Sequence, residues 1–148
     1  STTDANGRVV TQSRTVFDGD RYTHAIVAGF NKNEEKIWDN SFEIWDILTY
    51  NLKERVRVLF EGDNIVLAYS NGGAIMSKVI SGNQIVDRKQ VTKIETGYSD
   101  DKVRSNWGSD MEFWYENFFL SWGYQRIKSS EANKKKRNVF YFNKIAFQ

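Results

Sequence analysis

Apolar and polar positions alternate in short runs along most of this 148-residue chain, and the runs are punctuated by turns centred on Gly, Asn or Asp. RVVTQSRTVF (8–17) and RYTHAIVAGF (21–30), separated by DGD, predict two strands joined as a hairpin. KERVRVLF, IVLAYS, AIMSKVIS and IVDRKQVTKIET follow one another across EGDN, NGG and GNQ turns and predict a meander. IVLAYS has no polar face, as expected of a strand buried on both sides. MEFWYENFFLSWGYQRI and NVFYFNKIAF predict closing strands around a lysine-rich loop.

Two segments break the pattern. In IWDNSFEIWDILTYNL the positions Ile37, Trp38, Phe42, Trp45, Ile47 and Leu48 fit neither a helical stripe nor strict alternation, and a short helix over 42–50 is one reading. GYSDDKVRSNWGSD (97–110) has little periodicity and reads as a long loop. The expected fold is a single all-β domain over 1–148, with eight to ten strands and little helix, its antiparallel meander forming a β-sandwich or barrel. The chain contains no proline, so no strand is demoted by a missing N–H donor.

A weak internal repeat offers an alternative architecture. VFDGDRYTHAI (16–26), LFEGDNIVLAY (59–69) and EFWYENFFLSW (112–122) align with a Phe near the start of each (17, 60, 113) and an acid closing the turn (Asp20, Asp63, Glu116). A small residue then sits in the strand (Ala25, Ala68, Ser121) with a large one directly after it (Ile26, Tyr69, Trp122). Such spacing resembles β-propeller blades, but three copies fall short of the four to eight that close a ring, so the alternative is an incomplete ring of blade-like repeats. Chance recurrence of turn-and-strand patterns in an antiparallel sheet is the simpler account, and it keeps the sandwich or barrel first.

Composition narrows the chemistry. Aromatics make up 15% of the chain, enough for a substantial core. There is no cysteine, which removes disulfides, thiolate catalysis and cysteine-bearing metal sites. No apolar stretch approaches the roughly 20 residues of a membrane-spanning helix. A chain opening STTDANG reads as a mature terminus or as a piece of a longer protein, with an extracytoplasmic or secreted setting favoured. The net charge of +2 is unevenly placed: residues 1–75 carry eight Lys/Arg against eleven Asp/Glu, and residues 76–148 carry thirteen against eight. Lys134, Lys135, Lys136 and Arg137 with Arg126 and Lys128 could meet phosphates, but a solvated hairpin tip explains the run and nucleic acid is not the expected partner.

Candidate catalytic groups are few. The single histidine, His24, reads as a partly buried strand residue. Asp39, Glu43 and Asp46 flank Trp38 and Trp45, and paired acids beside aromatic platforms are how glycoside hydrolases are built; these three are the weak catalytic candidates. DGD (18–20) and SDD (99–101) could supply oxygen ligands, but neither has a full calcium-loop spacing and both read as turns, so no metal and no cofactor is expected. Gly72-Gly73 after Asn71 is a hairpin turn needing positive φ.

The densest feature is aromatic: Trp107, Phe113, Trp114, Tyr115, Phe118, Phe119, Trp122 and Tyr124. Most are expected in the core, with Trp107, Trp114, Tyr115 and Tyr124 as the candidate ligand-binding residues should loops expose them. The expectation is therefore a non-catalytic binding or interaction module with a carbohydrate or protein ligand. A carboxylate-dependent glycoside hydrolase and a structural or assembly domain forming homo-oligomers are the alternatives.

Overall fold

A computed structural model describes residues 2–3, 5–10, 15–128 and 136–147. They form eleven strands and no helix: β1 (Thr2–Thr3), β2 (Val9–Val10), β3 (Asp20–Phe30), β4 (Lys36–Thr49), β5 (Arg57–Glu61), β6 (Asn64–Asn71), β7 (Ala74–Ser81), β8 (Gln84–Lys93), β9 (Lys102–Tyr115), β10 (Phe118–Lys128) and β11 (Lys136–Ala146). Every pairing is antiparallel. Besides the short β1–β2 ladder there are three sheets, each a meander: the hairpin β3–β4, the four strands β5-β6-β7-β8, and the three strands β9-β10-β11. None closes into a barrel; the arrangement is sandwich-like.

The four-stranded sheet is the middle layer, and the apolar run Ile65–Tyr69 in β6 shows why. Alternation sends Ile65, Leu67 and Tyr69 to one face, where they meet Phe42, Ile44 and Ile47 of β4 together with Val56, Met76 and Ile80. Val66 and Ala68 go to the other face with Leu59 and Ile75, against Met111 of β9 and Phe119 of β10. Leu67, Ala68 and Tyr69 have no exposed surface. At about 1.5–3 kcal/mol for each large side chain buried, this strand is the chief source of hydrophobic stabilisation linking the layers. Lys78 on β7 adds a polar tie, donating to Asn40 Oδ1 at 2.6 Å and to the Ser41 carbonyl at 2.7 Å.

The three turns of the middle meander are the predicted ones, with Gly62, Gly72 and Gly82 each at positive φ. Four expectations are corrected. Residues 42–50 are not a helix but the second half of β4, made irregular by a bulge: Tyr22 pairs with Ile47 and His24 with Glu43, leaving Thr23 opposite Ile44, Trp45 and Asp46. Asp46 takes φ 56°, and both Trp45 and Asp46 are exposed between the buried Ile44 and Ile47. That two-residue interruption defeats alternation in the sequence. Most of the predicted 97–110 loop belongs to β9, whose Lys102, Arg104 and Ser105 are exposed and whose register shifts near Gly108, at φ 62°.

Third, β3 pairs with β4 through the Asn31–Glu35 turn, in which Asn31 Oδ1 accepts the N–H groups of Asn33 and Glu35. Residues 8–17 are not its hairpin partner among the described residues, where Val9–Val10 pairs with Thr2–Thr3. Fourth, His24 is exposed, because the hairpin has only one covered face and His24 falls on the other.

The aligned small residues all face the interior. Ala25 packs on the core between hairpin and middle sheet, while Ala68 and Ser121 lie in the second interlayer, where Ser121 Oγ bonds Ser70 Oγ at 3.2 Å. The large residues that follow differ: Tyr69 is buried, whereas Ile26 is 76% exposed.

Candidate functional site

Where the three sheets meet at one end, a polar cleft of about 160 Å³ opens between the β4 bulge (Asp46–Leu48), the β6–β7 turn (Ser70–Gly72), the β9 bulge (Asn106–Ser109) and Arg55. Each wall is shaped by a local feature. Tyr69 rises from β6, and its hydroxyl accepts the Trp45 N–H at 3.0 Å and donates to the Glu43 carbonyl at 3.3 Å, while Asn71 Nδ2 donates to the Trp45 carbonyl at 2.8 Å. Middle-sheet side chains therefore satisfy the backbone groups that the bulge withdraws from the β3–β4 ladder. Burial pushes the Tyr69 phenol up from its usual range, the Trp45 N–H opposes this, and the Glu43 charge adds to it.

Arg55 forms the floor. Its guanidinium lies over the Tyr22 ring and 4.0 Å from the Asp110 carboxylate, which is also ion-paired with Lys53 and accepts the Met111 N–H at 3.0 Å. The Tyr22 hydroxyl clamps Lys53 by bonding both its carbonyl and its N–H. Through these contacts the segment between β4 and β5 is tied to the hairpin on one side and to β9 on the other. Arg55 Nε is nevertheless buried without a hydrogen-bond partner, and so is Asn106 Oδ1. Asn106 packs against Gly73, at φ 76°, where a Cβ would sit 2.5 Å from that oxygen.

Trp107 borders the cleft and is 42% exposed. One face of its indole stacks on Tyr124 (centroids 5.9 Å apart, planes 10° apart), and Tyr124 meets Phe140 at 5.2 Å, so a row of rings crosses β9, β10 and β11. Trp114 and Tyr115 lie at the other end of β9, in contact with each other at 4.6 Å, and Lys144 covers that cluster, its ammonium 3.6 Å from the Phe118 ring centre and bonded to the Tyr115 hydroxyl. The four aromatic candidates thus form two separate groups. More of these rings are exposed than the sequence suggests: Trp107, Trp114, Tyr115 and Tyr124, because the outer face of the third sheet carries no further layer among the described residues, and Phe113, which pairs across from the buried Phe119 and meets its ring edge-on.

The carboxylates are also divided. Asp39 and Glu43 project from the outer face of the hairpin, with Asp39 ion-paired to Lys36; Asp46 borders the cleft and pairs with Arg21. Asp101 of the SDD turn pairs with Arg137 at 3.0 Å. Lys134 and Lys135 lie outside the described residues, while Arg126, Lys128 and Lys136 stand at one end of the β10–β11 ladder. Among the described residues no three His, Cys, Asp or Glu side chains converge as metal ligands do.

The chain matches no family model, and no curated protein or solved structure matches it. Arg55, Asn106, Asn71 and Ser109 are the residues that sequence reasoning passed over, since nothing in their spacing separates them from ordinary surface polar residues.

Proposed function

We propose that this chain is a non-catalytic binding module for a carbohydrate, held in the cleft between Asp46, Arg55, Asn71, Asn106, Trp107 and Ser109. The observation that carries the reading is the half-exposed indole of Trp107 at the border of a cleft whose other lining side chains, Asp46, Arg55, Asn71, Asn106 and Ser109 among them, are polar. A hydroxyl group both donates and accepts, so it can pair with carboxylate, amide, guanidinium and hydroxyl side chains alike. A ligand rich in hydroxyls meets this wall, and Trp107 supplies the apolar surface on which the C–H side of a sugar ring packs. Of the three weak catalytic candidates only Asp46 borders the cleft, so a second acid to pair with it is wanting there among the described residues, which favours binding over hydrolysis. An extracytoplasmic setting, where such ligands are met, belongs to the same proposal.

A glycan array followed by calorimetric titration tests this. The expected result is saturable binding to at least one oligosaccharide, weakened tenfold or more by Trp107→Ala and by Asn106→Ala and unchanged by Trp114→Ala, which sits outside the cleft. Absence of binding across the array, or equal binding by the Trp107 variant, overturns it.

A further inference from the structure

A second cavity, about 330 Å³, abuts the cleft, with Gly72 and Asn106 in the walls of both. The rest of its lining comes from the β6–β7 turn, the end of β8 with Ile94 beyond it, the first half of β9, and Gln125 of β10. Two of its side chains carry charge, Lys93 and Arg104, and both are positive. Several cations elsewhere are answered by an acid, Arg21 by Asp46, Lys36 by Asp39, Arg57 by Glu112 and Arg137 by Asp101. Lys93 and Arg104 pair with no acid among the described residues. Glu95 and Asp101, the acids closest to them in the chain, line a different cavity, where Asp101 is taken up by Arg137. Gln125 adds a neutral donor from within: it is 3% exposed, and Gly73 leaves room for its amide beside the turn, since a Cβ there would stand 2.9 Å from Gln125 Nε2.

We infer that this cavity is an anion subsite, and that it takes the carboxylate or sulfate group of an acidic oligosaccharide whose neighbouring ring lies in the cleft; the inference rests on the carbohydrate reading of the cleft. An ammonium and a guanidinium give charge-assisted hydrogen bonds to an oxyanion, and the Gln125 amide gives a neutral one, with no carboxylate in the lining to compete. The shared wall joins the two sites: a chain of sugars leaving the Trp107 side crosses Gly72 and Asn106 into the cavity. Both cations are exposed, so their pull on an anionic ligand is strong at low salt and screened at high salt, whereas hydroxyl pairing and ring packing in the cleft are not.

Calorimetric titration with two matched pairs of ligands tests this: a galacturonate oligomer with its methyl ester, and a carrageenan oligomer with its desulfated form. The first pair reads a carboxylate and the second a sulfate. In at least one pair the acidic member is expected to bind about tenfold more tightly than the neutral one, the difference shrinking as ionic strength rises from about 0.05 M to about 0.5 M. Lys93→Gln and Arg104→Gln, at exposed positions where the circular dichroism should not change, should each remove most of that difference, whereas Trp107→Ala should weaken both members of the pair. The salt response of the wild type reads the same charge without any substitution. Equal affinity for acidic and neutral members, or an acidic preference that survives both glutamine substitutions, overturns the subsite and leaves the cleft reading standing. If none of the four ligands binds while a neutral glycan from the array does, the subsite falls alone; if nothing binds, both fall.

Discussion

Replacing Tyr69 by Phe removes one oxygen atom from a side chain with no exposed surface and leaves its ring against Phe42, 5.2 Å between centroids. The lost hydroxyl is the acceptor for the Trp45 N–H, which the β4 bulge has taken out of the β3–β4 ladder, and the donor to the Glu43 carbonyl. Orphaning a partly buried N–H costs about 1–3 kcal/mol, and the longer 3.3 Å bond contributes less, so a loss of about 2 kcal/mol is expected. With a urea m-value of about 2 kcal/mol/M the unfolding midpoint should fall by about 1 M, followed by tryptophan fluorescence and far-ultraviolet circular dichroism together.

The pH dependence gives an independent sign. Because the Tyr69 phenol is raised in the folded state, its contribution is complete below the unfolded value of 10.0 and is lost as pH rises through the folded value. The stability difference between wild type and Tyr69→Phe should therefore shrink with pH above 10. Lys89, whose ammonium lies 3.3 Å from the Trp45 ring centre, is lowered by desolvation against the opposing pull of Glu43 and acts in the reverse sense, with stability rising with pH as it loses its proton. It is common to both proteins and cancels in their difference to first order. A midpoint shift below about 0.2 M, or a difference that does not change between pH 9 and 11, would refute the role given to Tyr69.

Phe119→Ala, emptying a position with no exposed surface in the second interlayer, should cost about 3–5 kcal/mol, read from urea unfolding. Asp110→Ala strips Lys53 and Arg55 of their shared acid; because Lys53 is half exposed the cost should be nearer about 2 kcal/mol than the 3–5 of a fully buried pair, and it should persist in high salt, which screens surface pairs. Gly73→Ala should lower stability by about 1–3 kcal/mol, since its φ of 76° disfavours a side chain, and the Asn106 side-chain amide resonances should move with it because the new methyl displaces that group.

How much of this was legible in the sequence depends on what each residue type has to signal. The middle meander was plain because its turns carry glycines at positive φ and because Ile65–Tyr69 lacks a polar face, the mark of a strand covered on both sides. The second half of β4 was not, since two exposed residues in succession, Trp45 and Asp46, imitate neither strand nor helix; the partners that hold them, Tyr69 and Asn71, lie on another sheet. β9 was masked by its polar outer residues and by the bulge at Gly108. Trp107 stands out in the sequence as an aromatic beside polar residues, and it lies at the border of the cleft. Arg55 and Asn106 draw their meaning from a junction of three sheets that no local pattern encodes.

Binding in the cleft is tested most directly by following backbone and side-chain amide resonances while an oligosaccharide selected on the array is added. Dose-dependent shifts are expected at Asn71, Gly72, Asn106, Gly108 and the Trp107 indole N–H, with Trp114 and Tyr115 still. Shifts confined to the Trp114–Tyr115 end of β9, or no shifts at saturating ligand, would contradict it.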